Sequence, residues 1–421
     1  MKRIVVLGAG FAGLWSAIGA ARKLEELHVS RDDVEVVVIN KYPFHNIRVR
    51  NYEEHLEETI VPLSEVFDPV GVRWIEGDVS DIDLDGKAVV IETPTGRTWQ
   101  SYDRLVFALG SKLVRPPIKG LGSYAFDVDT YQGAKRLEAH LAGLASSHAP
   151  GRFTALVIGA GLTGVEIAAE LPARLRKLAG GGAADVKVIL ADRTPRIAQE
   201  MGEARPVIEH AMAALDVELR ASFFLREVDE QGAILTSGER IFASTVIWCG
   251  GMQAHPMTEL FPVVHDKQGR LPVDSFLRVK GVADVFAAGD AASLLIDGRH
   301  ETMMSCQHGR PMGRFAGHNV VCDLLGLEML PLQIDWYTTV LDLGPWGAVY
   351  TWGWERQLAA EGMSAKRVKQ RINCERIYPP RNGSKADILE AARAEIDAPP
   401  KLAGLGKSRR AQTDTAVESV E

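Results

Sequence analysis

Two segments of this chain have the residue types and spacing that bind a dinucleotide, namely residues 8–13 (GAGFAG) and 159–164 (GAGLTG). Each follows an apolar run, at 4–7 and 155–158. In this pattern the first glycine makes a tight turn, the second lets a pyrophosphate approach, and the third lets helix and strand pack closely. The helix that follows offers free N–H groups to the phosphates. Two copies predict two bound dinucleotides, and hence electron transfer from one to the other.

A polar residue follows the second predicted strand of each unit, where a carboxylate usually accepts hydrogen bonds from ribose hydroxyls. In the first unit this residue is Asn40, followed by Lys41, and an amide can both donate to and accept from a hydroxyl. In the second unit it is Asp192, whose charge would repel a 2′-phosphate. NADH is therefore the expected nicotinamide cofactor, with NADPH as the alternative because Arg193 could neutralise that phosphate.

Two carboxylates leave two interpretations open. Asp290 follows a strand and Gly289, so it is either the N-cap of a following helix or a ligand of the flavin ribitol. Glu166 lies two residues beyond Gly164, so it is either stabilised by the helix dipole or placed near the flavin–nicotinamide interface.

Alternating strands and helices predict an α/β fold with two Rossmann-like dinucleotide-binding domains, the NAD domain inserted into the FAD domain. Four tryptophans between 336 and 354 predict a small C-terminal cap, a quinone-lining wall or a homodimer interface. Ser384 and Asp387 predict the capped start of one short helix. The expected divisions are 1–118 (FAD domain, first part), 119–268 (NAD(P)H domain), 269–325 (FAD domain, second part), 326–397 (cap) and 398–421 (disordered tail).

Composition excludes several classes of function. The formal net charge of −7 disfavours nucleic-acid binding, and the four cysteines lie too far apart for a local zinc site or a dithiol motif. No apolar run reaches the length of a membrane span, which predicts a cytoplasmic protein. The stretch 365–372 carries four cations beside Val368 and Ile372, which predicts at most weak peripheral contact with an anionic membrane.

Together these motifs resemble the FAD/NAD(P) pyridine nucleotide oxidoreductases over about residues 1–325. Within them the chain most resembles the type II NADH dehydrogenases and the AIF-like ferroptosis-suppressor flavoproteins. In the dehydrogenases an Ala-Gln helix abuts the flavin and lines the quinone pocket. Here Gln307 matches that glutamine, Cys306 replaces the small residue, and Pro311 stands where a second glutamine is expected. Cys306 as a redox thiol, and His45 near the flavin, are the less favoured interpretations.

The resemblance implies FAD-dependent NADH:quinone oxidoreduction, in which hydride passes to the flavin and electrons then pass to a quinone. Alternatives are a soluble reductase of a protein electron carrier and a non-enzymatic redox sensor. No metal ligands are expected, and Glu166 and Gln307 are the expected catalytic residues. The expected cofactor contacts are Gly8, Gly10, Ala12, Gly13, Asn40, Lys41, Gly110, Gly289 and Asp290 for FAD, and Gly159, Gly161, Gly164, Asp192 and Gly250 for the nicotinamide dinucleotide.

Overall fold

The computed structural model describes residues 1–180, 186–381 and 383–402. Most of the predicted disordered tail, from residue 403 onward, therefore lies outside the described residues. The helices are α1 (Phe11–Glu26), α2 (Leu63–Phe67), α3 (Leu121–Tyr124), α4 (Tyr131–Gly143), α5 (Leu162–Leu178), α6 (Arg205–Ala214), α7 (Cys306–Leu325), α8 (Gly362–Arg371) and α9 (Lys385–Ala391).

The strands are β1 (Lys2–Leu7), β2 (Val34–Asn40), β3 (Phe44–Asn46), β4 (Ile60–Pro62), β5 (Arg73–Glu76), β6 (Asp78–Asp83), β7 (Ala88–Thr93), β8 (Gly96–Ser101), β9 (Arg104–Phe107), β10 (Ser111–Leu113), β11 (Thr154–Ile158), β12 (Lys187–Ala191), β13 (Val217–Arg220), β14 (Leu225–Asp229), β15 (Gly232–Leu235), β16 (Arg240–Phe242), β17 (Thr245–Trp248), β18 (Met252–Ala254), β19 (Leu271–Pro272), β20 (Val285–Ala287), β21 (Ala292–Ser293), β22 (Thr338–Asp342), β23 (Ala348–Trp352) and β24 (Gln357–Glu361).

Two parallel sheets form the centres of the molecule. The first has the order β20-β9-β1-β2-β5 and the second the order β13-β12-β11-β17. The strands β1 and β11 lie inside their sheets, which explains why both are continuous apolar runs rather than alternating ones. All strands of the second sheet lie between β9 and β20 in the chain, so the second unit is inserted into the first. The expected α/β fold is confirmed, whereas the divisions at 118, 268 and 325 stay predictions.

Helices α1 and α7 pack closely because glycines line their contact. A Cβ at Gly313 would lie 2.3 Å from the carbonyl oxygen of Ala12, and one at Gly317 would lie 2.2 Å from that of Ser16. Such backbone contact is possible only without side chains at these positions. The contact fixes the start of α7 beside the first glycine turn.

The C-terminal region is an antiparallel sheet, β22-β23-β24, against which α8 packs. The four tryptophans do not form one wall. Trp336 lines a cavity described below, Trp352 is exposed, Trp354 stacks between Tyr337 and His300, and Trp346 lies beside His210. The predicted short helix is confirmed as α9, which begins with a capping box formed by Ser384 and Asp387.

The stretch 365–372 was predicted to present four cations to a membrane, and this prediction is wrong for two of them. Lys366 and Lys369 point inward and pair with buried carboxylates, whereas Arg367 and Arg371 are exposed. A charge that is already paired inside the protein is not available to a lipid headgroup. None of the helices within the described ranges is both long and apolar enough to cross a membrane.

Candidate functional site

The first glycine turn needs glycine at two positions. Gly8 has a φ of +90°, and a Cβ there would lie 2.7 Å from the carbonyl oxygen of Ala108. A Cβ at Gly13 would lie 1.9 Å from the carbonyl oxygen of Gly8, whereas one at Gly10 would meet no described atom within 4 Å. No described side chain caps α1, so its first N–H groups face the open space beside Gly10. This is the arrangement that binds a phosphate at a helix N-terminus.

The second glycine turn repeats this geometry. Gly159 has a φ of +109°, and a Cβ there would lie 2.6 Å from the carbonyl oxygen of Cys249. A Cβ at Gly164 would lie 1.7 Å from the carbonyl oxygen of Gly159, and one at Gly161 would meet no described atom within 4 Å. Helix α5 also starts without a side-chain cap among the described residues. The chain therefore contains two glycine turns of equivalent geometry, and phosphate binding at either turn stays a prediction.

Asn40 and Asp192 hold these turns in the same way. Asn40 Oδ1 accepts a hydrogen bond from the N–H of Ala9 at 2.8 Å, and Asp192 Oδ2 accepts one from the N–H of Ala160 at 2.7 Å. Asp192 Oδ1 also accepts hydrogen bonds from the N–H and hydroxyl of Thr194. Burial raises the pKa of Asp192, but these hydrogen bonds outweigh it and keep the pKa below its usual value. Asp192 therefore carries a charge at neutral pH.

Two other predicted FAD contacts are engaged within the protein. Ala12 is buried, and a Cβ placed on Gly289 would lie 2.7 Å from the Cβ of Ala12. Lys41 lies at the surface, where its Nζ is 2.7 Å from Oδ2 of Asp78. Contacts of either residue with a cofactor stay predictions.

Asp290 is not the N-cap of a helix. The segment Gly289–Ala291 is a single 3₁₀ turn whose N-cap is Ala288, and β21 follows it directly. The expected helix start at this position is therefore wrong, because the chain turns to pair β21 with β19. Asp290 Oδ2 instead accepts a hydrogen bond from the hydroxyl of Ser111 at 2.6 Å. Arg48 Nη1 lies 3.8 Å from the same oxygen.

Gly110 lies three residues beyond β9 and Gly250 two residues beyond β17, the strands beside the two glycine turns. Gly110 has a φ of +71° and precedes Ser111, the partner of Asp290. The nitrogen of Gly250 lies 3.1 Å from the position of a Cβ on Gly159. Both glycines thus lie next to the elements expected to contact a dinucleotide.

Glu166 and Gln307, which lie 141 positions apart in the chain, line one cavity of about 260 Å³. The starts of α5 and α7 supply these two residues, while β22 and α8 supply Thr338 and Lys369. The start of α7 also lies against the first glycine turn, since a Cβ at Gly309 would lie 3.6 Å from the Cβ of Phe11. The cavity is therefore bounded by elements of both dinucleotide-binding units and of the cap.

Glu166 belongs to a buried charge network. Its Oε1 lies 2.7 Å from Lys369 Nζ and accepts a hydrogen bond from the N–H of Asp342 at 3.1 Å. Lys366 pairs with Asp342 at 2.5 Å and lies 3.9 Å from Glu170. Burial raises the pKa of Glu166 despite the charge of Lys369, and burial with the nearby Asp342 raises that of Glu170 to about 7. The carboxyl group of Glu170 is thus suited to exchange a proton near neutral pH.

Gln307 joins α7 to the cap. Its Nε2 donates to the carbonyl oxygen of Trp336 at 3.5 Å, and its Oε1 accepts from the hydroxyl of Thr338 at 3.4 Å. Both hydrogen bonds are long, so a ligand could replace them at little cost. Pro311, one turn later, has no N–H to donate to the carbonyl oxygen of Gln307. The helix therefore offers an amide near the cavity and a carbonyl oxygen that position 311 does not bond.

Burial disfavours the charged forms of Cys306 and His45, and a redox or flavin-contacting role for either stays a prediction. Burial raises the pKa of the Cys306 thiol, and all four cysteines of the chain are free rather than paired. Burial lowers the pKa of His45 to about 4, and its Nδ1 lies 2.8 Å from the carbonyl oxygen of Ala9. A neutral imidazole that donates to this oxygen supports the first glycine turn.

Lys369 was missed as a site residue. Its sequence context, a run of cations on a short helix, is typical of a solvated face. The charge that it neutralises, Glu166, lies 203 positions earlier, so no local pattern could have paired them. The sequence signal was the pair of apolar residues Ala365 and Val368 on one side of α8, and both are buried in the structure.

Comparison with known proteins places these features in a family. A profile of the family described as Pyridine nucleotide-disulphide oxidoreductase matches residues 2–313. An NADH dehydrogenase-like protein of Mycobacterium tuberculosis is 51% identical over 403 residues, which cover 95% of this chain and all of that protein. A type II NADH:quinone oxidoreductase of Staphylococcus saprophyticus is 27% identical over 365 residues, covering 82% of this chain and 88% of that protein.

Solved structures share the fold at low sequence identity. NDH2 from Plasmodium falciparum in complex with NADH has a TM-score of 0.71 at 12% identity, covering 92% of this chain and 98% of that one. The sulfide:quinone oxidoreductase of Aquifex aeolicus has a TM-score of 0.72 at 18% identity, covering 97% and 100%. At these identities the likeness concerns the fold alone.

Proposed function

Because the chain belongs to the pyridine nucleotide-disulphide oxidoreductase family and is an NAD(P)H oxidoreductase, we propose that it transfers electrons from NADH through FAD to a quinone. FAD and NAD(P)H are the cofactors that this membership implies. One observation carries the proposal beyond the family. Gln307, beside the first glycine turn, and Glu166, beside the second, line the same small cavity.

The residues around the first glycine turn fit FAD. Any side chain at Gly8 or Gly13 would collide with backbone, while the space beside Gly10 is free for a pyrophosphate. Asn40 holds the turn, and Asp290 would accept a hydrogen bond from a ribitol hydroxyl. When bound, FAD supplies the chemistry of accepting hydride and releasing electrons. The protein contributes orientation and a defined electrostatic environment.

The second glycine turn fits NADH. Asp192 keeps its negative charge and lies at the end of β12, where the adenine ribose of a bound dinucleotide is expected. A 2′-phosphate there would meet a carboxylate whose oxygens already hold the turn in place. Arg193 is a neighbouring cation that could offset this repulsion.

The shared cavity fits the ring of a quinone. Its volume of about 260 Å³ is near the lower end of small-molecule sites, about 300 Å³. Ile334, Trp336 and Ile377 provide apolar surface, and the amide of Gln307 can donate to a quinone oxygen. Reduction of a quinone to a quinol also needs two protons. The buried pair of Glu166 and Lys369 would hold a proton at the cavity wall.

The test separates the two half-reactions by stopped-flow spectroscopy of the flavin. We expect Gln307→Ala to slow reoxidation by a quinone about tenfold or more, the loss of one hydrogen bond to the substrate, while anaerobic reduction by NADH stays nearly unchanged. Only the second half-reaction would use the amide.

Two variants serve as controls. Gln357→Ala changes an exposed glutamine of β24 and should leave both half-reactions unchanged. Cys306→Ser should remain within a few-fold of the wild type in both, because the buried thiol takes no part. Equal slowing of both half-reactions in Gln307→Ala would show that Gln307 supports the cofactor site, and absence of reoxidation by any quinone in the wild type would refute the proposed acceptor.

A further inference from the structure

A second cavity, of about 760 Å³, adjoins the one that contains Gln307. Its walls come from α1, α7 and the C-terminal segment 374–398. The two cavities share five lining residues: Arg310, Arg314, Arg376, Ile396 and Asp397. Unlike the smaller cavity, the larger one is lined chiefly by charged side chains.

Two arginines one turn apart on α7 are buried at this junction. The side chains of Arg310 and Arg314 are only 11% and 5% exposed. Their guanidinium carbons lie 5.1 and 5.8 Å from the ring centre of Trp15, which is also buried. Buried guanidinium groups ordinarily have carboxylate or phosphate partners that compensate the lost hydration. The partners of this pair are therefore informative.

A single carboxylate serves both guanidinium groups. Asp397 Oδ2 lies 2.7 Å from Arg314 Nη2 and 3.5 Å from Arg310 Nη1, and Arg314 Nη1 donates to Oδ1 at 3.3 Å. Arg376, a third cation of the junction, donates to the carbonyl oxygen of Ala398. One carboxylate thus faces three guanidinium groups.

Hydrogen-bond donors remain unused at this place. Within the described residues, Nε of Arg310, Nε of Arg314 and Nε1 of Trp15 are buried and have no hydrogen-bond acceptor. Burial without a full set of counter-charges lowers the pKa of Arg310 to about 10. The described residues of the junction thus supply too little negative charge and too few acceptor atoms for these buried donors.

The other carboxylates of the larger cavity do not supply that charge. Glu390 and Glu395 pair with Arg393, away from α7, and Glu375 is exposed. Asp397 itself lies on an irregular segment beyond α9, and its side chain is 38% exposed. Asp397 is therefore more exposed than either of the buried arginines with which it pairs.

We propose that Arg310, Arg314 and Trp15 form a binding site for an anionic group, a phosphate, sulfonate or carboxylate, and that Asp397 occupies this site from within the chain. A tetrahedral oxyanion offers more acceptor atoms than one carboxylate and can use the free Nε donors. Displacement of Asp397 would also move Ile396, which lies between the two cavities, and so would join them.

The anionic group could be free or could be part of the electron acceptor, and the latter possibility rests on the proposed function. A quinone that carries a sulfonate would place its ring beside Gln307 and its charge on Arg310 and Arg314. A free anion would bind the same donors and regulate access to the smaller cavity. Separate measurements of binding and turnover distinguish these sources.

Binding is tested with inorganic phosphate and the flavin-loaded protein by isothermal titration calorimetry in a phosphate-free buffer. Asp397→Asn removes the internal competitor's charge and should tighten phosphate binding about tenfold or more, because charge-assisted hydrogen bonds are freed for the ligand. Arg314→Gln should weaken binding by a similar factor. Asp274→Asn, which breaks a distant exposed pair with Arg278, should leave the affinity unchanged.

Equal phosphate affinity in the wild type and Asp397→Asn, or an absence of binding in both, would overturn the proposal. Asp397→Asn changes a partly exposed residue, so the result does not depend on whether Arg314→Gln folds. Loss of binding in Asp274→Asn would likewise show that the phosphate binds elsewhere.

The source of the anion is tested by turnover with naphthoquinone sulfonate and with the uncharged menadione. If the acceptor carries the charge, Arg314→Gln should raise KM for the sulfonate about tenfold and leave KM for menadione nearly unchanged. If Arg314→Gln changes KM equally for both quinones, and phosphate binding requires Arg314, the site is assigned to a free anion. No turnover with either quinone would refute the proposed function while the phosphate result still decides the anion site.

Discussion

Replacement of Lys369 by methionine tests the buried network that borders the cavity. The change removes the ammonium group 2.7 Å from Glu166 but keeps a side chain of similar length. The carboxylate would then retain the N–H of Asp342 as its described hydrogen-bond partner. Breaking a buried ion pair by removing one partner costs about 3–5 kcal/mol, chiefly because the other charge stays buried.

Protonation of Glu166 limits that cost and makes it depend on pH. Burial already raises the pKa of Glu166 in the wild type, and loss of Lys369 would raise it further. A carboxyl group whose folded-state pKa is raised destabilises the protein as pH rises from its unfolded-state pKa toward the folded-state value. Each pH unit in this window changes the free energy of unfolding by about 1.4 kcal/mol. The stability of the variant relative to the wild type should therefore fall as the pH rises, and measurements at pH 6 and pH 8 sample this change.

Urea unfolding of the flavin-loaded protein at both pH values measures this difference. Lys135→Met is the matched control, because Lys135 pairs with Glu138 on the surface and should contribute less than about 1 kcal/mol. The double variant Glu166→Gln, Lys369→Met removes both charges and should recover much of the lost stability. A Lys369→Met protein as stable as the wild type at pH 8 would refute the buried pair.

Three further outcomes are expected. Asp192→Asn should reduce the preference for NADH over NADPH in kcat/KM about tenfold, mainly by improving NADPH, and an unchanged ratio would make Arg193 the determinant. Asp290→Ala should weaken FAD binding by about 1.5–3 kcal/mol, measured by fluorescence titration of the deflavinated protein, whereas unchanged affinity would limit Asp290 to its contact with Ser111. Because burial raises the pKa of Glu170 to about 7, its carboxyl group should lower the free energy of unfolding by up to about 3 kcal/mol as the pH rises from 4.5 to 7. Glu170→Gln should abolish this decrease in urea unfolding, and an unchanged pH slope would contradict the reasoning.

The dinucleotide turns could be predicted from sequence because their physics is local. The collisions that demand Gly13 and Gly164 involve Gly8 and Gly159, five residues earlier. A short window of sequence therefore contains the whole constraint. The flanking strands were equally predictable, since strands buried inside parallel sheets are uninterrupted apolar runs.

The cavity could not be predicted in the same way. Glu166, Gln307 and Lys369 meet only because the cap folds back onto both dinucleotide-binding units. The prediction of a helix after Asp290 was wrong for a similar reason. The pairing of β21 with β19 determines the conformation of this segment, and the local residues do not. The cations of residues 365–372 predict a weak membrane contact because Glu166, the partner of Lys369, lies 203 positions earlier in the chain.

The equivalence of Asn40 and Asp192 separates what the fold needs from what the cofactor needs. Each side chain accepts a hydrogen bond from the N–H that follows the first glycine of its turn, at 2.8 and 2.7 Å. An amide oxygen also accepts this hydrogen bond, so this contact does not require the charge. The charge of Asp192 is therefore free to act in cofactor selection. In Asp192→Asn the amide oxygen can still accept the hydrogen bond from Ala160, but the NH2 group replaces the Oδ1 that accepts from the N–H of Thr194. An unchanged kcat/KM for NADH is therefore the control which shows that a change in cofactor preference reports on electrostatics and not on a damaged turn.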